Sequence, residues 1–388
     1  GIAMCFANVG IPVTVVEGDA SALERGLEKI RGLYESSMSK GRLSKDDFDK
    51  RMALLSGTTD FSRLSQSDIV IEAVFEEMLV KKNVFRKLDS IGKDGAILAT
   101  NTSSLDVNEI ADATSRPASV IGTHFFSPAN VMKLMECVRG AKTSKETLAS
   151  VFQLAKRLDK VAVLVGVCDG FVGNRMLYAY RRQGDFLLED GALPHEVDQA
   201  VVEFGLPMGP YAMADLAGLD IGWAVRKHQE ATRPKHLRYS TIPDRICELG
   251  RFGQKTGAGF YRYEKGSRAP IPDPEIAALI QAVSRELGIA RRPFTKEEIV
   301  ERCIYALINE GAKILDEGIA LRASDVDLVW IHGYGFPRYR GGPMFYADTV
   351  GVKKVKDAVA RFYQEQGEWM KPAPLLERLA REGGSFQG

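Results

Sequence analysis

Short apolar runs alternate with amphipathic stretches through the first 165 residues of the chain. Six runs of six or seven residues are separated by helical patterns such as LERGLEKIRGLYESSM and VKKNVFRKLDSIG. The runs occupy residues 12–17, 68–73, 95–100, 119–125, 133–138 and 161–166. Strands that alternate with helices in this way predict a mostly parallel, doubly wound α/β sheet with helices on both faces. The first seven residues predict a further helix.

The strand pattern ends at Gly166, and helical periodicity dominates the rest of the chain. This second part contains an internal repeat, in which residues 174–210 match residues 301–343. Asp198, for example, lines up with Asp327. Two copies are too few for a solenoid, but paired helical units can bury an apolar face that one copy would expose to water. The sequence therefore predicts an all-α domain built by duplication.

These patterns divide the chain into four predicted segments. The α/β domain occupies residues 1–167, and the first helical copy occupies residues 168–266. The second helical copy occupies residues 294–388. Residues 267–293 are predicted to be a linker, because they begin with the Pro-rich, charged stretch SRAPIPDPE.

Composition excludes several classes of protein. A net charge of +1 lacks the basic excess of a nucleic-acid-binding protein. The longest apolar run, residues 161–167, is far shorter than the ~20 residues of a membrane span. The five cysteines are dispersed, so neither a zinc site nor a redox motif is expected. We therefore predict no metal, no nucleic-acid partner and no membrane span, and a reducing compartment.

Polar residues interrupt the strand pattern at residues 101–104, where an apolar strand runs into Asn101-Thr102-Ser103-Ser104. In an open α/β sheet, ligands bind outside the carboxyl ends of the strands, which is where these side chains are expected. They are equally good N-caps for the helix predicted in VNEIADA, and this structural interpretation stays open.

His124 and Glu136 each lie within an apolar run, twelve residues apart. A lone histidine among hydrophobic residues is usually part of the core, but an unpaired buried carboxylate is costly. The turn in FSPAN allows an antiparallel return that would bring the two side chains together. A His–Glu pair of this kind is a tuned general base.

Two further stretches carry polar groups that have both a functional and a structural interpretation. In DGFVGNRM, Asn174 begins the first helix of the helical part, where it either caps the helix or holds a substrate oxygen. In EAVFEEMLVKK, Glu76 and Lys81 follow a strand, near the place where the ribose of a cofactor would lie. A solvated, charged helix start explains that stretch nearly as well.

Together these motifs resemble the NAD-dependent L-3-hydroxyacyl-CoA dehydrogenase family across essentially all 388 residues. The resemblance rests on Ser103, His124, Glu136 and Asn174, which are separated by 21, 12 and 38 residues. GRFGQKTGAGFYRY and HGYGFPRYRGGPMFY resemble further family signatures. The duplicated helical part narrows the match to the dehydrogenase half of multifunctional fatty-acid β-oxidation enzymes. The resemblance implies a Rossmann-like sheet followed by a duplicated helical C-terminal domain.

The resemblance also implies roles for these side chains. His124 would take the proton of the substrate's 3-hydroxyl, and Glu136 would orient the imidazole ring. Ser103 and Asn174 would hydrogen-bond the reacting oxygen. The product would be a 3-ketoacyl-CoA.

NAD is the implied cofactor. Its implied ligands are Glu17, Glu76, Lys81 and Asn101. The charge of Glu17 would repel the 2′-phosphate of NADP. Family members place a strand and a G-x-G-x-x-G turn before the first helix, whereas this chain begins within that helix. We therefore expect the first strand and the glycine loop to be missing, and this chain to bind NAD poorly while its intact parent is active.

Two alternative functions stay open. A relative with the same motifs would act on another acyl-CoA substrate, such as 3-hydroxybutyryl-CoA or 3-hydroxyadipyl-CoA. A non-catalytic fragment would keep the fold only as a CoA-binding or structural module. The resemblance further implies a hydratase domain in the full-length parent and a thiolase partner. We expect a monomer, because the second copy can cover the shared face, and the bacterial cytoplasm ahead of the peroxisome.

Overall fold

The computed structural model describes residues 1–231 and 233–388. It divides into two compact units. The first unit comprises Gly1–Asn174 together with the short segment Gly318–Leu321. The second comprises Arg175–Glu317 and Arg322–Gly388. The predicted domain boundaries stay predictions.

The first unit contains seven strands. They are β1 (Val13–Val16), β2 (Leu55–Thr58), β3 (Ile69–Glu72), β4 (Ile97–Thr100), β5 (Val120–Phe125), β6 (Leu134–Val138) and β7 (Val161–Val165). The six predicted runs each contain one of these strands. The sequence analysis missed β2, whose four residues LSGT carry a single large apolar side chain and therefore no alternating pattern.

The strands form two sheets. The larger sheet has the order β3-β4-β5-β6-β7, and the smaller one pairs β1 with β2 in parallel. Neighbours in the larger sheet are parallel except for β5 and β6, which are antiparallel. The carboxyl ends of β3, β4 and β5 therefore share one edge of the sheet with the beginning of β6. This edge is where polar side chains from separate parts of the chain can meet.

Six helices accompany these strands. They are α1 (Ile2–Ala7), α2 (Ala20–Ser39), α3 (Lys45–Ala53), α4 (Met78–Ile91), α5 (Val107–Ala111) and α6 (Lys145–Arg157). α1 and α6 contribute Phe6 and Val151 to a core that also contains Ile121 of β5. α1, α2 and α3 share a second core around Met4 and Tyr34. The predicted alternation of strands and helices is confirmed.

Helices dominate the second unit. They are α7 (Gly173–Asp190), α8 (Pro194–Phe204), α9 (Pro210–Ala217), α10 (Leu219–His228), α11 (Ile242–Glu248), α12 (Pro274–Glu286), α13 (Lys296–Asp316), α14 (Ala323–Gly333), α15 (Pro343–Val350), α16 (Val352–Gln366) and α17 (Pro374–Glu382). Two short strands, β8 (Tyr261–Arg262) and β9 (Ile271–Pro272), pair in antiparallel fashion. These strands lie beyond Gly166, where the sequence predicts none.

The duplication is visible in the order of the helices, because α7 to α11 correspond to α13 to α17. In each copy, an equivalent aspartate accepts hydrogen bonds from the first turn of an equivalent helix. Asp198 in α8 accepts hydrogen bonds from the backbone N–H groups of Tyr211 and Ala212, in the first turn of α9. Asp327 in α14 accepts one from Met344, in the first turn of α15. Each aspartate satisfies N–H groups that a helix start leaves without an intrahelical partner.

A second pair of carboxylates closes each copy. Asp215 accepts hydrogen bonds from the backbone of residues 260–261. Asp348 accepts them from the backbone of residues 386–387. Residues 386–387 therefore make the same kind of backbone contact in the second copy that residues 260–261 make in the first.

The segment predicted as a linker, residues 267–293, contains α12. Its residues Ile276, Ile280 and Val283 are buried, at the i, i+4, i+7 spacing of one helix face. The sequence analysis did not predict this helix, because prolines at the beginning of the segment are typical of a linker. No helix in the described part of the chain is long and apolar enough to cross a membrane. The described residues also hold no group of three metal-ligating side chains.

Candidate active site

His124 and Glu136 face each other across β5 and β6. The antiparallel return that the sequence predicts is present, and the two residues pair directly in the register of the strands. His124 Nδ1 lies 2.7 Å from Glu136 Oε2. Glu136 is fully buried, and 7% of His124 is exposed. One edge of the His124 ring therefore reaches the surface of the core, while the Glu136 carboxylate is shielded from solvent.

A strained turn fixes the other oxygen of Glu136. Its Oε1 accepts hydrogen bonds from the backbone N–H groups of Val172, at 3.2 Å, and Gly173, at 2.9 Å. The turn that aims them passes through Gly170, with φ +73°, and Phe171, with φ +49°. For a side chain such as that of Phe171, the left-handed conformation costs about 1–2 kcal/mol. The carboxylate is thus held on both oxygens and cannot rotate away from the ring.

This arrangement determines what the imidazole can do. If Nδ1 carries the proton and donates it to Glu136, Nε2 is left as the acceptor. The carboxylate then stabilises the imidazolium that forms when Nε2 takes a proton. The rings of Phe126 and Phe171 lie 4.6 Å and 5.9 Å from the histidine ring, centroid to centroid, and keep bulk water from it. The pair is therefore competent for general acid–base chemistry.

The neighbouring thiol does not compete for this chemistry. Cys137 follows Glu136 on β6 and is fully buried. Burial, reinforced by the charge of Glu136, raises the pKa of Cys137 to about 12. The thiol stays protonated, so it is not a nucleophile at neutral pH.

Asn101 ties the end of β4 to β5. Its side-chain Oδ1 accepts a hydrogen bond of 2.9 Å from the backbone N–H of Phe125, the residue after His124. Its own N–H donates to the backbone oxygen of Glu72 at 2.8 Å. Asn101 therefore holds three neighbouring strands in place at the edge where the polar side chains converge.

Ser103 is held by Glu76 rather than by a helix cap. Glu76 Oε1 accepts three hydrogen bonds, from Ser103 N at 2.7 Å, Thr102 Oγ1 at 2.7 Å and Ser103 Oγ at 3.1 Å. The bond from the serine hydroxyl is the longest of the three. It is therefore the one that most readily turns to another acceptor.

Lys81 lies behind Glu76. Its Nζ is 3.2 Å from Glu76 Oε2 and 2.8 Å from Glu72 Oε1. Only 1% of the lysine side chain is exposed. Glu72 is equally buried, and its Oε2 accepts a 2.8 Å hydrogen bond from Thr100 Oγ1. The ammonium is thus sandwiched between two carboxylates, one buried and one at the surface.

Burial opposes ionisation of Glu76, but its hydrogen bonds more than offset that cost. The donors are Thr102, the backbone of Ser103 and the Lys81 ammonium, and together they hold the pKa of Glu76 below its ordinary value. Glu76 is therefore charged at neutral pH and remains an acceptor for Ser103.

Asn174 joins the same group from the first turn of α7. Its Nδ2 lies 3.4 Å from the backbone oxygen of Ser103. Because the preceding turn donates to Glu136, Asn174 is positioned between the Ser103 loop and the His124–Glu136 pair. The four residues that the resemblance implies as the catalytic set therefore lie together at one edge of the larger sheet.

Of the four predicted cofactor ligands, Glu17 stands apart. It follows β1 and is exposed, and its Oε1 accepts a 2.8 Å hydrogen bond from the N–H of Gly18. In the described part of the chain, no hydrogen bond links it to the other predicted site residues. An exposed carboxylate at a strand end is nevertheless available to a sugar diol.

The sequence analysis missed Glu72. A signal was available: Lys81, Phe85 and Leu88 form the buried i, i+4, i+7 face of α4, so a lysine occupies a core position. A buried ammonium requires a carboxylate partner. Glu72, which closes the apolar strand IVIE, is that partner.

Comparison with known proteins identifies the class. A family model described as "3-hydroxyacyl-CoA dehydrogenase, NAD binding domain" matches residues 1–168. A second, "3-hydroxyacyl-CoA dehydrogenase, C-terminal domain", matches residues 170–263 and 299–386. The chain thus pairs an NAD-binding domain with a duplicated helical domain, which defines a class of NAD-dependent oxidoreductases.

Individual relatives narrow the class to a family. A peroxisomal bifunctional enzyme from Cavia porcellus is 47% identical over 399 residues, covering 99% of this chain and 54% of that protein. The dehydrogenase part of multifunctional enzyme 1 from C. elegans is 32% identical, with a TM-score of 0.70 over 97% of this chain and 86% of that one. The chain therefore belongs to the 3-hydroxyacyl-CoA dehydrogenase family, as the spacing of its site residues predicts.

One further structure bears on the fold alone. A 3-hydroxybutyryl-CoA dehydrogenase from Escherichia coli K12 superposes with a TM-score of 0.84 over 98% of this chain and 95% of that one, at 24% identity. The chain spans about half the length of the curated relatives it matches.

Proposed function

We propose that this chain is the dehydrogenase part of an enzyme that oxidises L-3-hydroxyacyl-CoA to 3-ketoacyl-CoA in fatty-acid β-oxidation. The observation that carries the proposal is the 2.7 Å contact between His124 and a fully buried Glu136. A buried carboxylate is costly unless it is paired and hydrogen-bonded, and Glu136 meets both conditions with the imidazole on one oxygen and two backbone N–H groups on the other. It is therefore placed to orient the imidazole and to stabilise its charged form. Oxidation of an alcohol requires such a base.

His124 Nε2 takes the hydroxyl proton as the alcohol is oxidised, and Glu136 stabilises the imidazolium. The Ser103 hydroxyl turns from Glu76 to the reacting oxygen, which becomes a carbonyl that can only accept. The Asn174 amide adds a second donor to that oxygen. These contacts hold the substrate in place for reaction. NAD, when bound, supplies the two-electron acceptor for the hydride of C3.

The donor set fits NAD in its chemistry. Glu17 offers an exposed acceptor for a ribose diol and repels a 2′-phosphate. Glu76 and Asn101 offer a carboxylate and an amide at the edge that carries His124, whereas Lys81 is 1% exposed and holds Glu76 from behind. This fit supports Glu17 as the adenosine-ribose ligand and Glu76 and Asn101 as ligands at the nicotinamide end, and a direct contact of Lys81 with NAD stays a prediction.

Reduction of acetoacetyl-CoA with NADH tests the proposal, measured in a longer protein that carries a strand and a glycine-rich turn before Gly1. His124→Ala is expected to lower kcat by about 10²- to 10⁴-fold, the range that a general base contributes. His195→Ala is the matched control, because this histidine is exposed on α8 and is expected to leave kcat unchanged. Full activity in His124→Ala would remove the residue from the mechanism.

The NAD affinity of this chain is a separate question. We propose that it is weak until a strand and a glycine-rich turn precede Gly1, because such a turn cradles the pyrophosphate. NADH titrated into the 388-residue chain is compared with NADH titrated into a longer protein that carries those elements. Equal affinities would overturn this part of the proposal, and absence of activity in both proteins would overturn the dehydrogenase itself.

Chain-length preference separates the related substrates. Rates with C4, C16 and dicarboxylic 3-hydroxyacyl-CoA distinguish general β-oxidation from a dedicated 3-hydroxybutyryl-CoA or 3-hydroxyadipyl-CoA enzyme. CoA binding without turnover would favour the structural module. The hydratase domain in the parent, the thiolase partner, the monomeric state and the bacterial cytoplasm stay predictions. Because one relative is named a peroxisomal enzyme, the peroxisome is the compartment to compare with the predicted bacterial cytoplasm.

A further inference from the structure

Glu72 is a buried charge that the catalytic contacts do not explain. It closes β3, pairs with Thr100 in the register of β4, and leaves 1% of its side chain exposed. Its Oε1 accepts from Lys81 Nζ at 2.8 Å and from the N–H of Val74 at 2.7 Å, while Oε2 accepts from Thr100. Every contact is made from behind the site, so Glu72 itself does not face a substrate.

The ammonium of Lys81 depends on this anchor. A buried lysine with one carboxylate partner would move toward it, because an under-paired buried charge is costly. Here Lys81 has two partners, and the shorter contact is to Glu72, at 2.8 Å against 3.2 Å to Glu76. The stronger hydrogen bond therefore holds the ammonium back from Glu76.

Several donors compete for the Glu76 carboxylate, so it cannot bind all of them with good geometry. Its Oε1 already receives the N–H and hydroxyl of Ser103 and the hydroxyl of Thr102. An ammonium that shifted fully onto Glu76 would rotate its carboxylate and compete with these three donors. The position of the Ser103 loop therefore depends on where Lys81 is held.

We propose that Glu72 is a positioning residue, which holds Lys81 away from Glu76 and thereby keeps Glu76 bound to Ser103. This inference rests on the proposed function, because Ser103 matters only if it contacts the reacting oxygen. Glu72 acts through two other side chains and has no chemical step of its own. Its effect is confined to the geometry in which Ser103 is presented.

The chain offers a matched control for Glu72. Asp89 on α4 is a partly buried carboxylate, 15% exposed, that accepts from an arginine and from a backbone N–H, those of Arg116 and Ser115. It lies in the same unit and has no contact with Ser103. Asp89→Asn and Glu72→Gln therefore remove the same kind of charge from two places.

Amide hydrogen exchange of Ser103 tests the proposal in the 388-residue chain without cofactor or substrate. Glu72→Gln is expected to speed this exchange about tenfold, the loss of roughly one net hydrogen bond. Asp89→Asn is expected to leave it unchanged. In a Lys81→Met background, Glu72→Gln should have no further effect, because its route to Ser103 is gone. Equal exchange in wild type and Glu72→Gln would overturn the proposal.

Kinetics in the longer protein distinguishes the two levels of inference. Glu72→Gln breaks a buried ion pair and should lower the melting temperature, but it should also lower kcat about tenfold in an assay well below that temperature, whereas Asp89→Asn should leave kcat unchanged. A lower melting temperature with unchanged kcat would make Glu72 purely structural. If wild type and His124→Ala are both inactive, the dehydrogenase proposal fails, and the exchange of Ser103 still decides the role of Glu72.

Discussion

Two buried carboxylates serve the same edge of the sheet in different ways. Glu136 and Glu72 each bind one ionisable side chain, His124 and Lys81, and each also accepts hydrogen bonds from the surrounding scaffold. In the proposed reaction Glu136 faces an imidazole that would take and release the substrate proton, whereas Glu72 faces a lysine that has no part in the proton transfer. Glu136 would therefore act on the reacting group, and Glu72 on the position of a neighbouring group.

Glu136 and Glu72 therefore illustrate two proposed roles of a buried carboxylate, support of proton transfer and placement of a neighbouring charge. Loss of Glu136 would leave His124 without the partner that selects its tautomer. Loss of Glu72 would leave Lys81 with Glu76 as its remaining carboxylate and shift geometry instead. Variants at the two sites should therefore differ in kind and in size.

The largest effect is expected at Glu136. Glu136→Gln keeps the size of the side chain and an acceptor for the turn, but removes the charge that stabilises the imidazolium. We expect kcat to fall about 10⁴-fold, the size of the loss when the carboxylate behind a catalytic histidine is replaced by its amide. Acetoacetyl-CoA reduction by the variant measures this fall. A decrease of less than tenfold would mean that Glu136, like Glu72, only positions its partner.

The next effect is on stability at Lys81. Lys81→Met leaves Glu72 and Glu76 facing each other without a cation, and breaking a buried pair in this way costs about 3–5 kcal/mol. Urea unfolding measures the loss. The double variant Lys81→Met/Glu72→Gln removes the buried charge as well and should recover part of it. A double variant less stable than Lys81→Met would contradict the assigned pairing.

Ser103→Ala sharpens the contrast between activity and stability. The serine hydroxyl makes the longest of the three bonds to Glu76, so its loss should cost less than about 1 kcal/mol of stability. Loss of a donor to the developing carbonyl should lower kcat about 10²-fold. Thermal melting and kcat are compared in one preparation. A large melting shift with unchanged kcat would place the hydroxyl in the scaffold.

The smallest effect is the acid dependence of Glu76. Its folded pKa lies below the ordinary 4.5, so its contribution to stability is present above pH 4.5 and is lost as the pH falls through the folded pKa. The stability difference between wild type and Glu76→Gln should therefore shrink from pH 6 to pH 3 in urea unfolding. Glu109→Gln, in an exposed ion pair, is the control and should change stability by less than about 1 kcal/mol at either pH. A difference that grows on acidification would reverse the assignment.

The sequence was sufficient to predict six of the seven strands of the first unit and the facing of His124 and Glu136. Their apolar runs and the turn between them leave one economical arrangement, with two polar side chains paired inside a core. β2 and α12 were missed because LSGT is too short to show a period and because prolines precede the helix. Glu72 was missed because the buried position of Lys81 on α4 signals that a carboxylate partner is needed but not which one, and that partner lies nine residues away on β3. Such pairing depends on tertiary packing, which local patterns do not report.

The final residues of the chain have a practical consequence for protein engineering. Gly383, Gly384 and Gly388 make them look like a dispensable tail. The backbone of residues 386–387, however, satisfies Asp348, and the Gln387 side chain donates to the buried Asp327. Trimming after Gly384 would leave both carboxylates short of donors and loosen the whole second copy. Truncations and fusions should therefore leave residues 385–388 intact.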